Sequence, residues 1–242
     1  MASDAPAVPE TLPPVVPALL SFVAGYIDSC TFLALFGLYV AQLTGSFVLA
    51  GTETVVHDSG AAIKLLAIPV FGVAGAATTV MVRRSRGRAA LPAALALEAA
   101  LLTGLFVSWL IGAPLTGRGD AAVLSASLCG LAAMGVQSAL VRLLVKGSPS
   151  TNVMTTNTTL FAIDATDLVM AWRAHRRAPS DAAALAAYAK ARNGFAILWP
   201  IVLGFIVGTI SGAIFYARLD LWCVLLAIAI VVALALWARA RA

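Results

Sequence analysis

The sequence predicts an all-α membrane protein of six transmembrane helices, arranged as two inverted three-helix repeats that each contain a broken or re-entrant polar segment. Three observations lead there. The 242-residue chain is 61% hydrophobic and only 11% charged, well above the roughly 45–50% apolar content of a soluble domain. Its apolar residues fall in several runs of the about 20 residues that a helix needs to cross a bilayer. The pattern of the first half, an apolar run and then a polar Gly- or Thr-containing break, returns in the second half, and paired interruptions of that kind mark binding sites in transporters built from internal repeats.

In chain order, residues 1–13 lack the basic start of a signal peptide and read as a disordered tail. The first repeat covers 14–112. Its first span runs from Pro14 to Phe36 and carries Asp28 near its middle. The segment Gln42–Asp58 is too polar to cross alone, and its Phe47–Ala50 core reads as a half-helix dipping into the membrane. A second span, Ser59–Val82, ends in a cluster of four arginines between Arg83 and Arg88. The third, Ala89–Gly112, carries Glu98 near its centre, and Pro114–Asp120 is a turn.

The second repeat covers 120–238, with a basic segment at 172–193. Its first span is Ala121–Val145, closed by Lys146-Gly147-Ser148-Pro149, a helix stop. A Thr-rich segment, Thr151–Leu168, then re-enters, and Ala182–Lys190 reads as a short surface helix. The last spans are Phe195–Tyr216 and Leu221–Trp237. Under the positive-inside rule the clusters Arg83–Arg88, Arg142 with Lys146, Arg173–Arg192 and Arg239 with Arg241 belong on the cytoplasmic side. Six crossings with both termini cytoplasmic satisfy that rule.

The net charge of +5 sits in short clusters between apolar runs, which is a topology signal; a nucleic-acid partner would need a soluble basic face, and none is present. Cys30, Cys129 and Cys223 lie in apolar runs without metal-ligand spacing. His57 and His175 have no neighbours at such spacing either, so no metal or cofactor is expected. No HExxH, GxSxG or Walker signature occurs, and the chain is not read as an enzyme. Trp109, Trp172, Trp199, Trp222 and Trp237 fall toward span ends, as an interfacial belt requires.

The candidate site combines Asp28, Gln42, Thr44, Gly45 and Ser46 with Gln137, Ser138, Thr155, Thr156, Asn157 and Thr158. A carboxylate at mid-membrane costs about 2.5–3.5 kcal/mol and therefore belongs in the protein interior or in a wet cavity. Asp28 reads as a coupling carboxylate or ligand anchor, against the alternative of a structurally bonded carboxyl; Glu98 is the second candidate for coupling. Ser, Thr and Asn at the start of a half-helix cap free backbone N–H groups, and such a start attracts anions and polar oxygens. The two breaks are expected to face each other at mid-membrane. Gly204, Gly208 and Gly212 form overlapping GxxxG motifs that allow close helix approach, inside the chain or to a second copy in a homodimer.

Gly25-Tyr26-Ile27-Asp28, Leu43-Thr44-Gly45-Ser46, Met134–Ala139 and Val153–Thr159, with the six-span pattern, resemble the YoaK family of bacterial inner-membrane proteins from about Pro17 to Trp237. That resemblance implies a multi-pass bacterial inner-membrane protein, and no established activity. The family pattern has Thr-Gly-Asn at both breaks; here Ser46 and Thr156 depart from it. The function expected is a transporter or channel for a small polar or anionic solute, proton-coupled in one version, with the lipid bilayer as its medium. The alternative is a non-transporting scaffold, sensor or assembly partner.

Overall fold

In the structure, a computed structural model, residues 12–55, 61–85, 89–113, 120–145 and 147–242 are described. The expectations for most of the N-terminal tail, for His57 and Asp58, for Arg86 and Arg88, for the 114–119 turn and for Lys146 lie outside those residues. Nine α-helices are described and no strand: α1 Val15–Ala34, α2 Leu43–Val55, α3 Ala61–Leu65, α4 Ala67–Arg84, α5 Ala90–Gly112, α6 Ala121–Leu144, α7 Met154–Arg177, α8 Ala182–Leu219 and α9 Val224–Ala240. Five segments are long and apolar enough to cross a membrane: Val15–Ala34, Ile63–Arg84, Ala90–Gly112, Ala121–Leu144 and Ala182–Ala240. The last of these contains both α8 and α9, separated by a 3₁₀ turn at Asp220–Cys223 where Asp220 has φ 52°.

Glycine decides which helices touch. A Cβ added to Gly204, Gly208 or Gly212 of α8 would lie 2.6, 2.2 or 2.5 Å from the carbonyl oxygens of Ala18, Phe22 or Tyr26 on α1. Only bare glycine lets the two backbones come that close. Because the numbers rise together, α1 and α8 run in the same direction. The GxxxG stripe thus serves a contact within the chain. A second same-direction pair forms between α4 and α6, where a Cβ on Gly135 would lie 2.6 Å from the Phe71 carbonyl oxygen and one on Gly75 would meet Ala139.

Helices α5 and α6 form an antiparallel hairpin: Gly104 packs against Cys129, and Gly130 against Leu105. α9 returns along α5, with Trp222 set edge-on to Phe106 and Trp109. Trp109 and Trp222 pack edge-to-face on each other at the α8–α9 turn.

The basic segment folds differently from the short surface helix expected at Ala182–Lys190. α8 is one helix of 38 residues, begun by Asp181, whose side chain accepts from the Ala183 N–H. From Ala182 to Arg192 the residues favour helix, and the helix continues through the less favourable Asn193-Gly194, so the change from Ala-rich and basic to apolar alters the surroundings and not the backbone. α7, 24 residues long, lies antiparallel on the front of α8: Phe161 meets Phe195, Gly194 meets Asp164, and His175 stacks on Tyr188. Asn157 is its only buried residue.

Candidate functional site

After α1 the chain turns at Phe36 (φ 54°) and Gly37 (φ 82°) and runs back toward the middle of the helix. A left-handed conformation is unusual for a bulky residue; here the Phe36 carbonyl oxygen accepts from Lys64 Nζ, which also pairs with Glu53 of α2. The returning segment is caught by Asp28. Its Oδ1 accepts the N–H groups of Val40 and Ala41, both at 2.7 Å, and its Oδ2 that of Gln42 at 3.2 Å. Asp28 is buried, and α2 begins one residue past Gln42. Ser46 closes the turn by donating to the Tyr39 carbonyl oxygen at 2.7 Å and accepting the Tyr39 N–H at 3.0 Å.

The second half repeats this device with different chemistry. The chain leaves α6, turns at Gly147 (φ 77°), and returns to Gln137. Gln137 Nε2 is directed at the Leu20 carbonyl oxygen (2.9 Å), Thr151 Oγ1 (3.1 Å) and Asn152 Oδ1 (3.2 Å). Thr151 Oγ1 donates to Asn152 Oδ1, and Ser21 Oγ donates to the Ile201 carbonyl oxygen. α7 then begins at Met154, and Asn157 Nδ2 donates to the Ser150 carbonyl oxygen at 2.6 Å. Ser46 with Tyr39 and Asn157 with Ser150 are each seven residues apart. Ser46 therefore does for α2 what Asn157 does for α7.

The structure places the sequence-derived candidates in two clusters. Asp28, Gln42, Gly45 and Ser46 belong to the first; a Cβ on Gly45 would meet the Tyr39 ring at 2.9 Å. Gln137 and Asn157 belong to the second, with Ser138 half-buried beside Gln137. Thr44, Thr155, Thr156 and Thr158 are exposed on the outer faces of α2 and α7. α2 packs on α3 and α4, and α7 on α8, so these threonines do not face one another across a shared site. The clusters meet α1 at Asp28 and at Leu20, about 12 Å apart along the axis. Thr151, Asn152 and Ser21 joined the second cluster unannounced; the polar run Ser150-Thr151-Asn152 is the signal that pointed to them.

Glu98 is fully buried on α5, and neither of its carboxyl oxygens has a hydrogen-bond partner among the described residues. Gln137 Oε1 is likewise without one. Cys30 and Cys223 bring their sulfurs to 3.3 Å where α1 meets the α8–α9 turn. No group of three or more metal-ligating side chains occurs among the described residues.

The match that places the chain spans residues 16–237. The chain belongs to the family described as Protein of unknown function (DUF1275). That stretch takes in both returning loops, Asp28, Glu98 and Gln137. No curated protein and no solved structure matches the chain.

Proposed function

We propose that this DUF1275 protein is a membrane transporter or channel for a small polar or anionic solute, built as two inverted repeats of three crossings each. The single observation that carries the reading is the duplicated reversal. In each half the chain leaves a long apolar helix, turns at a left-handed glycine, and is fastened about two turns back by a buried polar side chain before a new helix starts. Irregular backbone at membrane depth is tolerated where it is buried in protein or lines a cavity, and transporters place substrate at such breaks. The same-direction pairs α1 with α8 and α4 with α6 are what a two-fold axis in the membrane plane would generate from equivalent helices. Six crossings, re-entry of the Gln42–Asp58 and Thr151–Leu168 segments, both termini cytoplasmic, and a YoaK-like bacterial inner-membrane location complete the proposal; a second copy of the chain is a proposed partner.

The two helix starts differ in charge. At α2 the preceding N–H groups already serve Asp28, so an added anion would compete with a carboxylate. At α7 the fastening group is the neutral Gln137, which leaves that side open to an anionic or polar solute. A non-transporting role is favoured by one observation: the α7–α8 hairpin presents exposed Arg173, Arg176, Arg177, Lys190 and Arg192, a surface suited to an acidic partner. Solute flux into liposomes containing the purified protein, measured across a panel of small polar and anionic metabolites, separates the two readings.

A further inference from the structure

Glu98, Ser127 and Gln137 are fully buried with polar atoms that lack a partner among the described residues, and the α5–α6 register brings Glu98 and Gln137 opposite each other. Leu105 of α5 packs on Gly130 of α6 in an antiparallel hairpin. Moving seven residues along a helix, about two turns, returns to the same face. Seven residues before Leu105 is Glu98, and seven after Gly130 is Gln137. Both are completely buried. Among the described residues Glu98 has two oxygens without partners, and Gln137 has Oε1 without a donor. The amide orientation of Gln137 is fixed by chemistry, because the Leu20 carbonyl oxygen can only accept and must face Nε2.

We propose that Glu98 and Gln137 form a proton-operated latch on the loop that starts α7. With its proton in place, Glu98 donates to Gln137 Oε1, and the amide keeps Nε2 on Leu20, Thr151 and Asn152. On ionisation the O–H bond of Glu98 breaks and the proton passes to a water molecule. The carboxylate then confronts Oε1, acceptor against acceptor. The amide turns over to offer Nε2 to Glu98, a charge-assisted bond that offsets the loss of the one to the Leu20 carbonyl oxygen, and in doing so gives up Thr151 and Asn152 as well, which releases the loop before α7. This gives Glu98 the titrating role and leaves Asp28, whose oxygens are taken by three N–H groups, the fastening one. The latch draws its purpose from the transport reading, but its chemistry needs no solute.

Other charges do not confuse the assignment. α5 packs on α6, α9, α4 and the 3₁₀ turn. Along these, α6 carries Cys129 and the exposed Arg142, α9 carries Arg239 near its end, α4 carries exposed Arg83 and Arg84 at its end, and the turn carries Asp220 and Cys223. None is at the level of Glu98.

The experiment combines an apolar carbodiimide with hydrogen exchange on the full chain in lipid nanodiscs. A carbodiimide adds the O–H of a protonated carboxylic acid across its C=N bond, so peptide mapping reports the protonated acid directly. Glu98 is expected to be labelled, less so as pH rises, with no label at Asp28 and none in Glu98→Gln. Exchange of the 148–153 amides, corrected for intrinsic rates, is expected to rise about tenfold or more from acid to alkaline pH in the wild type, from the loss of two buried hydrogen bonds. In Glu98→Gln, whose amide donates at every pH, that loop stays protected; in Gln137→Met it exchanges fast throughout while Glu98 still reacts. An unlabelled Glu98, or a loop whose pH response is the same in the wild type as in either variant, overturns the latch. Absence of solute flux in liposomes with these results intact would count against the transport reading alone.

Discussion

Replacing Asp28 tests how the first polar break is held. The carboxylate is buried and accepts three backbone N–H groups, at 2.7, 2.7 and 3.2 Å. Hydrogen bonds to a charged group contribute about 1.5–3 kcal/mol each. In Asp28→Ala all three N–H groups are stranded, and the loss of about 5–9 kcal/mol approaches the roughly 5–15 kcal/mol that holds a typical protein together. In Asp28→Asn the side-chain oxygen can still serve Val40 and Ala41, but the amide nitrogen meets the Gln42 N–H, donor against donor. That variant should lose about 2–4 kcal/mol. Thermal unfolding in detergent, followed by tryptophan fluorescence, should rank wild type above Asn and Asn above Ala, with the Ala variant hardly recovered as folded protein. Hydrogen exchange should localise the Asn defect to residues 39–46. An Asp28→Ala protein that purifies in normal yield and melts with the wild type would refute the fastening role.

The glycine stripe makes a sharper contrast. Gly208→Ala places a Cβ 2.2 Å from the Phe22 carbonyl oxygen, which cannot rotate away, whereas Gly72→Ala meets nothing within 4 Å; the first should cost about 1–3 kcal/mol or more and the second nothing, by the same melting assay. Ser46→Ala should lose about 1–2 kcal/mol with its two bonds to Tyr39, and Ser46→Asn should regain part of it, since Asn157 makes the equivalent contact in the other half. Single cysteines at Arg84 and Arg177 should resist an impermeant maleimide applied to intact cells and react after permeabilisation. Labelling of either from outside would overturn the inverted arrangement.

Much of the fold is legible because lipid imposes length and polarity together. The spans read from the sequence at Pro14–Phe36, Ala89–Gly112 and Ala121–Val145 differ from α1, α5 and α6 by no more than two residues at any end. The start of α8 was not legible for a related reason: hydropathy reports where the surroundings change, and Asn193-Gly194 at that change reads as a turn, while the helix from Ala182 continues through it. The partners of Asp28 could not be read either. They are main-chain N–H groups, identical in every sequence, brought into place by a turn at Phe36 and Gly37. The expectation that Thr44 faces Thr155 and Thr156 assumed both breaks end on one axis; instead each loop is fastened to its own preceding helix, at Asp28 or at Gln137, and the threonines lie outside. The roles of Gly204, Gly208 and Gly212 were legible as close packing, but their partner α1 became visible only once the helices were assembled.

Transport is the central claim, and reconstitution tests it most directly. Purified protein in sealed liposomes, shown to be folded there by its unfolding transition, should move at least one member of a small polar or anionic solute panel faster than protein-free liposomes. Gln137→Leu, which removes the fastening of the loop before α7, should change that rate while the protein stays in the membrane. If the folded wild type leaves every solute at the protein-free rate, with and without a pH gradient, the transport account is contradicted.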